Sequence, residues 1–161
     1  MDEKNIEEKL RINSPKLKVE KTFESNYEKD KDVLTYRVDM YNEKKDSVAK
    51  NIILKDVLDT VDIDKESIRV VDETGKEIPK DKYTIEEKKD KNGNNVLEIR
   101  FKDVYLIDKE TNKEEIAKKQ NISGTSMFRK VGLNYNVRRN KNKVKRDIHT
   151  KTVLNSNGNI L

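Results

Sequence analysis

Residues 33–41 read Val-Leu-Thr-Tyr-Arg-Val-Asp-Met-Tyr, and this stretch decides the fold. Large apolar side chains alternate with polar ones, so that one parity holds Leu34, Tyr36, Val38 and Met40. Successive side chains of a β-strand point to opposite faces, so a period of two places one face in a core and the other in water. The stretch therefore predicts a half-buried strand of an antiparallel sheet.

The same alternation recurs along the chain. It begins at residue 17, where Leu17, Val19 and Lys21 share a parity. Residues 83–88 and 96–101 flank an Asn-Gly pair, which is the strongest short-range signal for a β-hairpin. Further strands are predicted at 49–58, 68–71, 127–137 and 144–154, the last two joined as a hairpin by a basic turn at 138–143. Residues 112–120 fit either a helical turn or a solvated loop.

These strands predict an all-β fold. We expect an immunoglobulin-like antiparallel β-sandwich of about seven to nine strands, with one loop or short helix insertion, because no long helices separate the strands. The 161 residues suit one domain, which we place at residues 17–161 after a leader or linker at residues 1–16. Only 32% of the residues are hydrophobic and 42% are charged, but 36 basic groups nearly balance 31 acidic ones. Disorder requires a high net charge, so a thin core inside a charged shell is the better interpretation.

Composition also limits the chemistry. The chain has no cysteine and one histidine, His149, which excludes disulfides and thiolate- or histidine-based metal sites. The acidic segment 62–67 lacks the glycine and distal glutamate of a calcium loop and is predicted to be a charged loop between strands. No nucleophile elbow or phosphate-binding loop occurs. We therefore expect no metal, no cofactor and no enzymatic activity on an external substrate.

Localisation is left open by composition alone. Residues 1–9 are too charged for a signal peptide, and no run of about 18 apolar residues could span a membrane. The chain is then either cytosolic or a piece of a longer secreted protein, and its ending at residues 159–161 without a sorting signal fits the second alternative.

Four motifs in order carry a family resemblance. They are Leu17-Lys18-Val19-Glu20-Lys21-Thr22, then Asp32-Val33-Leu34-Thr35-Tyr36-Arg37-Val38 with Asn42, then the stretch from Ala49 to Leu58, and finally Ile148-His149-Thr150-Lys151-Thr152-Val153. Over residues 17–158 the chain resembles the repeat domain of Gram-positive cell-surface proteins, a domain of unknown function related to the fimbrial isopeptide-formation domain of adhesins and pilins. It departs from the pattern at Asp59, where a proline is usual, and in the closing strand.

The resemblance implies an extracellular stalk or adhesin at the cell surface. Its partners would be neighbouring domains of the same surface protein and a host or cell-wall ligand. A cytosolic or phage-related protein that merely shares the sandwich is a further alternative, because a fold by itself does not give a function.

The resemblance also implies an intramolecular isopeptide site. Some members join a first-strand lysine to a last-strand asparagine, with the help of a buried acid. Lys21 and Asp56 occupy the lysine and acid positions, whereas His149 stands at the acceptor position and has no carbonyl to attack. Asp147 or Asn155 would be substitutes. The alternatives are a buried ion pair of Lys21 with Asp56, which His149 could join, or a Lys21 side chain that reaches the surface. In either case the sandwich holds together by its core alone.

A basic run supports a second function. Between residues 138 and 146 six cations occur without an acid: Arg138, Arg139, Lys141, Lys143, Lys145 and Arg146. Such a run suits a polyanion-binding module for a glycan, teichoic acid or nucleic acid. Nucleic acid is the weakest of these partners because no aromatic residues are interleaved for base stacking. The alternative is the solvated tip of a hairpin.

Overall fold

The computed structural model describes residues 13–25, 33–58, 61–139, 150–156 and 159–160. The strands are β1 Leu17–Ser25, β2 Val33–Asn42, β3 Ile53–Leu58, β4 Val61–Val71, β5 Tyr83–Lys89, β6 Asn95–Phe101, β7 Tyr105–Leu106, β8 Met127–Phe128, β9 Val131–Arg139, β10 Thr150–Ser156 and β11 Asn159–Ile160. In the described residues helix α1 spans Lys113–Gln120, and 3-10 turns lie at Lys80–Lys82 and Gly124–Ser126.

Two antiparallel sheets form the body of the molecule. The first sheet has the strand order β1-β2-β9-β4, and the second has the order β11-β10-β3-β6-β5. Strands β7 and β8 form a separate short parallel pair. Within the described residues nine strands therefore build the two sheets, which confirms the predicted antiparallel sandwich with one short helix insertion.

The core lies between the sheets, where the alternating side chains meet. In β2 the buried residues are those of the predicted parity, and Leu34, Tyr36, Val38 and Met40 are all at most 2% exposed. They pack in one cluster with residues of β9, β3 and β6, among them Leu133, Tyr135, Leu54, Leu58, Leu97 and Ile99. Burial of each large apolar side chain contributes roughly 1.5–3 kcal/mol. The core is thus supplied by strands that are far apart in sequence.

The hairpin at Asn92-Gly93 is also confirmed. Strands β5 and β6 pair in register from Tyr83 opposite Phe101 to Lys89 opposite Asn95. The Asp90 backbone N–H donates to the Asn94 carbonyl at 3.0 Å, and Gly93 adopts a φ of 80° that favours glycine. The Asp90 carboxylate also accepts the N–H groups of Asn92 and Asn94, both at 2.9 Å. Hydrogen bonds between Asp90 and the turn residues thus stabilise the turn.

Of the two alternatives for residues 112–120, the helix is confirmed. The Asn112 side chain caps its N-terminus by accepting the Glu115 N–H at 3.1 Å. Asn121 closes the C-terminus in the left-handed conformation, with φ 53°. The helix buries Ile116 and Ala117 in a second small apolar cluster that is completed by Val48, Ile107 and Met127. The insertion therefore has a core of its own beside the sandwich.

Buried Asn42 at the end of β2 joins this insertion to the sandwich. Its amide nitrogen donates to Ser47 Oγ at 2.9 Å and to the Leu106 carbonyl at 3.0 Å. Its amide oxygen accepts the backbone N–H of Lys16 at 3.2 Å and that of Lys44 at 3.0 Å. The described end of the predicted leader is therefore hydrogen-bonded to the domain, and the domain boundary at residues 16 and 17 stays a prediction.

Two sequence-based expectations were wrong. Residues 62–67, predicted to be a loop, belong to β4, which pairs with β9 through a register shift between Asp64 and Arg69. β4 is an edge strand, so its charged side chains can face water while its backbone bonds to β9. The described strands β9 and β10, predicted to pair as a hairpin, do not pair with each other either, because β9 lies in the first sheet and β10 in the second. Alternation marks each strand but does not say which sheet the strand joins.

Candidate functional site

The sequence-predicted residues Lys21 and Asp56 face each other across the sandwich. Lys21 lies on β1 opposite Val38 of β2, in the first sheet, and shares the half-buried parity of Leu17 and Val19. Asp56 lies on β3 in the second sheet and is fully buried. The alternation of each strand thus turns one ionisable side chain into the space between the sheets.

The Asp56 carboxylate is held by two donors from the first sheet. The Lys21 ammonium donates to Asp56 Oδ1 and forms an ion pair with it. The Tyr135 hydroxyl, on β9, donates to Asp56 Oδ2. Each carboxylate oxygen therefore has its own partner, as a buried charge requires. We call these three residues the Lys21–Asp56–Tyr135 cluster.

Aromatic rings line one side of this cluster. The Lys21 ammonium lies 5.0 Å from the centroid of the Tyr36 ring, a cation–π distance. The Tyr36 and Tyr135 rings stack with centroids 5.7 Å apart and an interplanar angle of 24°. The ring centroid of Phe23, on β1, lies 5.7 Å from that of Tyr36, and Phe23 is 63% exposed. An aromatic row thus runs from the surface to the buried carboxylate.

Burial changes the proton affinities of the two donors. It lowers the pKa of the Lys21 ammonium, although the Asp56 charge acts in the opposite direction. It raises the pKa of the Tyr135 phenol far above its ordinary value, and the Asp56 charge adds to this increase. Tyr135 therefore stays protonated and remains a hydrogen-bond donor, whereas Lys21 loses its proton more readily than an exposed lysine does.

The closing strand places a threonine beside the cluster. β10 pairs with β3 so that Thr152 lies opposite Asp56. Asn155 lies opposite Ile53, three positions further along, and therefore has the other parity. His149 and Asp147 lie outside the described residues. The family resemblance pointed to His149, Asp147 or Asn155 on the closing strand. The residue paired with Asp56 is instead Thr152.

Sequence reasoning missed Tyr135 and Tyr36 as members of the site. The available signal was that both tyrosines share a parity with buried aliphatic residues, and a buried tyrosine hydroxyl needs a hydrogen-bond partner. The partner itself depends on the pairing of β9 with β2, which brings Tyr135 opposite Tyr36. That pairing spans almost a hundred residues and has no local signature.

The predicted polyanion site is described only at its beginning. Arg138 is exposed on β9, and Arg139 ends that strand. The remaining cations lie outside the described residues: Lys141, Lys143, Lys145 and Arg146. In the part of the chain that the structure describes, no group of three or more acidic or histidine side chains is arranged to hold a metal ion, and no helix is long and apolar enough to cross a membrane.

Comparison with solved structures finds proteins of the same fold. No protein-family model matches the chain, and no curated protein matches it in sequence. Among solved structures, the major pilin SpaA of Corynebacterium diphtheriae matches 89% of the chain with a TM-score of 0.59 and 12% identity. The pilus backbone protein RrgB of Streptococcus pneumoniae matches 89% with a TM-score of 0.58 and 11% identity. The chain has the fold of Gram-positive pilin domains.

An adhesin domain shares this pilin-like fold. The collagen-binding domain of the Erysipelothrix rhusiopathiae surface protein RspB matches 89% of the chain with a TM-score of 0.54 and 15% identity. The chain spans 32% of the SpaA chain, 53% of the RrgB chain and 41% of the RspB chain. At such identities the likeness concerns the fold. The predicted link to pilin and adhesin folds is therefore supported, whereas membership of the specific surface repeat domain stays a prediction.

Proposed function

We propose that the chain is a structural or adhesive module of a Gram-positive cell-surface protein, located outside the cell and without enzymatic activity. The observation that carries this proposal is a pilin-like sandwich whose two sheets are joined through the Lys21–Asp56–Tyr135 cluster. Among the buried acids of the described residues, Asp56 accepts hydrogen bonds from the opposite sheet, and this contact supports a structural role.

The cluster fits the needs of such a module. A small extracellular domain without disulfides needs another means of keeping its sheets together. A buried ion pair adds little net stability compared with apolar residues, but it fixes which side chains face each other. Among the described side chains, Lys21 of β1 and Tyr135 of β9 donate to Asp56, which therefore sets the position of the second sheet relative to the first.

The proposed partners follow by analogy with the similar proteins. SpaA is described as pointing to a modular pilus assembly with stabilising isopeptide bonds, and the RspB domain as collagen-binding. By analogy we assign this chain neighbouring domains of the same surface protein as constant partners. A host or cell-wall ligand would be a second partner if the module is adhesive.

Surface proteolysis tests the location. Intact cells that express the parent protein would be treated briefly with trypsin, and the released peptides identified by mass spectrometry. We expect peptides from exposed lysine-rich segments such as 86–91 among those released, at a level matching known surface proteins. Recovery only after lysis, together with cytosolic markers, would contradict the proposal. Binding of the purified chain to immobilised collagen then separates an adhesive module from a purely structural one.

The polyanion alternative has a separate test. A six-contact site would retain the domain on heparin with a steep dependence on salt. We expect elution below about 0.15 M salt, as for a protein whose net charge is only +5. Retention above that concentration that disappears when the six cations of residues 138–146 are replaced by glutamine would instead establish polyanion binding.

A further inference from the structure

Strand β1 has an open edge. It lies at the end of the first sheet, where β2 is the described strand that pairs with it. An edge strand presents unpaired backbone N–H and C=O groups to a further strand, and natural edge strands are often short or interrupted by a bulge. β1 is neither, because its nine residues pair with β2 in unbroken register from Leu17 to Ser25.

The other sheet edges of the described chain are better protected. β4, at the far edge of the same sheet, is interrupted by the register shift between Asp64 and Arg69. In the second sheet β11 has two residues, and β5 carries exposed charged side chains throughout 86–89. β1 instead carries Phe23, the large apolar side chain that is exposed in the described residues, at 63%. β1 is therefore the edge that best suits pairing with another chain.

We propose that β1 pairs antiparallel with β1 of a second copy of this chain, across a two-fold axis at Lys21. Full overlap of two antiparallel nine-residue strands places their central residues opposite each other, and Lys21 is the centre of Leu17–Ser25. The four-stranded first sheets of the two copies then form one continuous sheet of eight strands, a size that natural open sheets reach. The inference goes beyond the proposed function, because it gives the module a partner of its own kind.

This register brings complementary side chains of β1 together. Lys18 lies opposite Glu24 of the second copy, and the two-fold axis repeats the pair at the other end of the strand. The Lys18 side chain is half exposed and Glu24 is exposed, so both can reach across the new strand pair. On the opposite face Val19 lies opposite Phe23 of the second copy, which gives the exposed ring an apolar neighbour. Opposite charges and apolar pairs that face each other across antiparallel strands stabilise the pairing.

Shifted registers are less favourable. A shift by one residue sets side chains of opposite faces against each other. A shift by two residues places Glu20 opposite either Glu20 or Glu24 of the second copy, and like charges directly opposite each other destabilise a strand pair. A shift by four leaves five of the nine residues paired. In the proposed register the like-charged pair is Lys21 with its counterpart, and Asp56 of the same copy neutralises each of them.

Sedimentation velocity of the purified chain tests the association. A single strand pair makes a small interface, so we expect a reversible equilibrium of monomer and dimer between about 10 µM and 1 mM chain. A monomer throughout this range overturns the proposal. Surface proteolysis of cells does not depend on dimerisation, so its result separates failure of this inference from failure of the proposed function.

Charge reversal tests which strand forms the contact. Lys18→Glu or Glu24→Lys alone should weaken dimerisation about tenfold, because each sets two like-charged pairs across the axis. A mixture of these two variants restores opposite charges at both pairs and should dimerise like the native chain. Lys102→Glu and Glu114→Lys, exposed reversals away from β1, are the controls of equal charge change and should have no effect. A dimer that neither β1 variant weakens, or a mixture that stays monomeric, overturns the proposal.

Cysteine cross-linking tests the register, since the native chain has no cysteine. Positions 20 and 22 lie opposite each other in the proposed register, at a distance that a disulfide spans. A mixture of Glu20→Cys and Thr22→Cys should therefore cross-link under mild oxidation about tenfold faster than either variant alone. Equal rates overturn the register and the proposal with it. Circular dichroism confirms folding of each variant.

Discussion

At the scale of single residues, Asp56 is a buried acid that is held by the opposite sheet. Its carboxyl is fully buried, and both of its oxygens accept from side chains of the opposite sheet. Removing one partner of such a group leaves an uncompensated charge and costs about 3–5 kcal/mol, whereas replacing the whole pair by neutral groups costs little. The cluster therefore responds differently to single and to double substitution.

Replacement of Lys21 tests this contrast. Lys21→Met keeps the apolar stem but leaves Asp56 without its cation, so we expect the free energy of unfolding to fall by about 3–5 kcal/mol. The double variant Lys21→Met with Asp56→Asn should recover much of that loss, because no charge remains buried. Urea denaturation measures both, with exposed Lys102→Met as the matched control. A loss within 0.5 kcal/mol of the control, roughly the usual surface range, would contradict the prediction.

Glu98 of β6 gives a prediction about pH. Burial acts to raise the pKa of this carboxyl, but hydrogen bonds and charges from Lys88 and Arg100 outweigh it and hold the pKa below the ordinary 4.5. The distance from Lys88 Nζ to Glu98 Oε2 is 3.2 Å, and the distance from Arg100 Nη2 to Glu98 Oε1 is 2.7 Å. A pKa that is lower in the folded state contributes stability above the unfolded value, and this contribution is lost as the pH falls through the folded value.

We therefore expect Glu98→Gln to reduce the free energy of unfolding at neutral pH. The expected reduction is about 1 kcal/mol, because solvent reaches both Lys88 and Arg100 and weakens their ion pairs with Glu98. The difference between the native chain and Glu98→Gln should shrink as the pH falls below 4.5. Thermal unfolding at a series of pH values measures it. A difference that stays constant down to the acid limit would show that the ionised form of Glu98 is not what stabilises the fold.

At the scale of elements, the β5–β6 hairpin depends on one backbone conformation. Gly93 has φ 80°, whereas Gly124 lies outside the left-handed region, and an added Cβ at either position would meet no atom within 4 Å. The two glycines therefore differ in backbone conformation but not in available space. They form a matched pair for a test of the turn.

We expect Gly93→Ala to lower the free energy of unfolding by about 1–2 kcal/mol, the cost of a left-handed conformation for a residue with a side chain. Gly124→Ala should cost about 0.5 kcal/mol or less, as at an ordinary surface position. Chemical denaturation of both variants gives the comparison. Equal effects of the two substitutions would mean that the turn rearranges to relieve the strain.

Elements also show what the sequence predicts and what it does not. The alternation of β2 and the turn at Asn92-Gly93 are local patterns, and each predicted its element, whereas the sequence left residues 112–120 open between a helical turn and a loop. The sheet that β10 joins, and its register against β3, depend on contacts with distant strands. Hence the predicted hairpin to β9 was wrong, and Thr152 rather than a carbonyl-bearing side chain is the residue opposite Asp56. The family resemblance selected Lys21 and Asp56, and the parity of each strand agreed with it. The contact of Tyr135 with Asp56 joins residues 79 positions apart and has no local signature.

At the scale of the whole molecule, a thin core lies inside a balanced shell of charges. The ion pairs of the shell, such as Lys65 with Glu87 at 2.8 Å and Lys18 with Glu20 at 3.2 Å, leave their lysines at least half exposed. Exposed pairs of this kind contribute between about 0 and 1 kcal/mol each and are screened by salt. The Lys21–Asp56 pair is enclosed and is screened much less.

We therefore expect added salt to weaken the exposed ion pairs and to leave the buried Lys21–Asp56 pair unchanged. Between low salt and about 1 M NaCl, where the Debye length falls to about 3 Å, the loss caused by Lys21→Met should stay constant. The loss caused by Lys65→Met, an exposed pair used for comparison, should be small and should vanish at high salt. Denaturation curves at both concentrations measure these values. A Lys21→Met effect that disappears at high salt would show that solvent ions reach the cluster.

The position of Asp56 has a consequence for tension along the chain. If the chain is pulled from both sides, the load enters at β1 and leaves through β10, which belong to different sheets. Lys21 of β1 is tied to Asp56, and Asp56 lies directly opposite Thr152 of β10. The load can then pass from β1 through one pair of side chains to β3 and out through β10. The edge strands β4 and β5 and helix α1 lie outside this path.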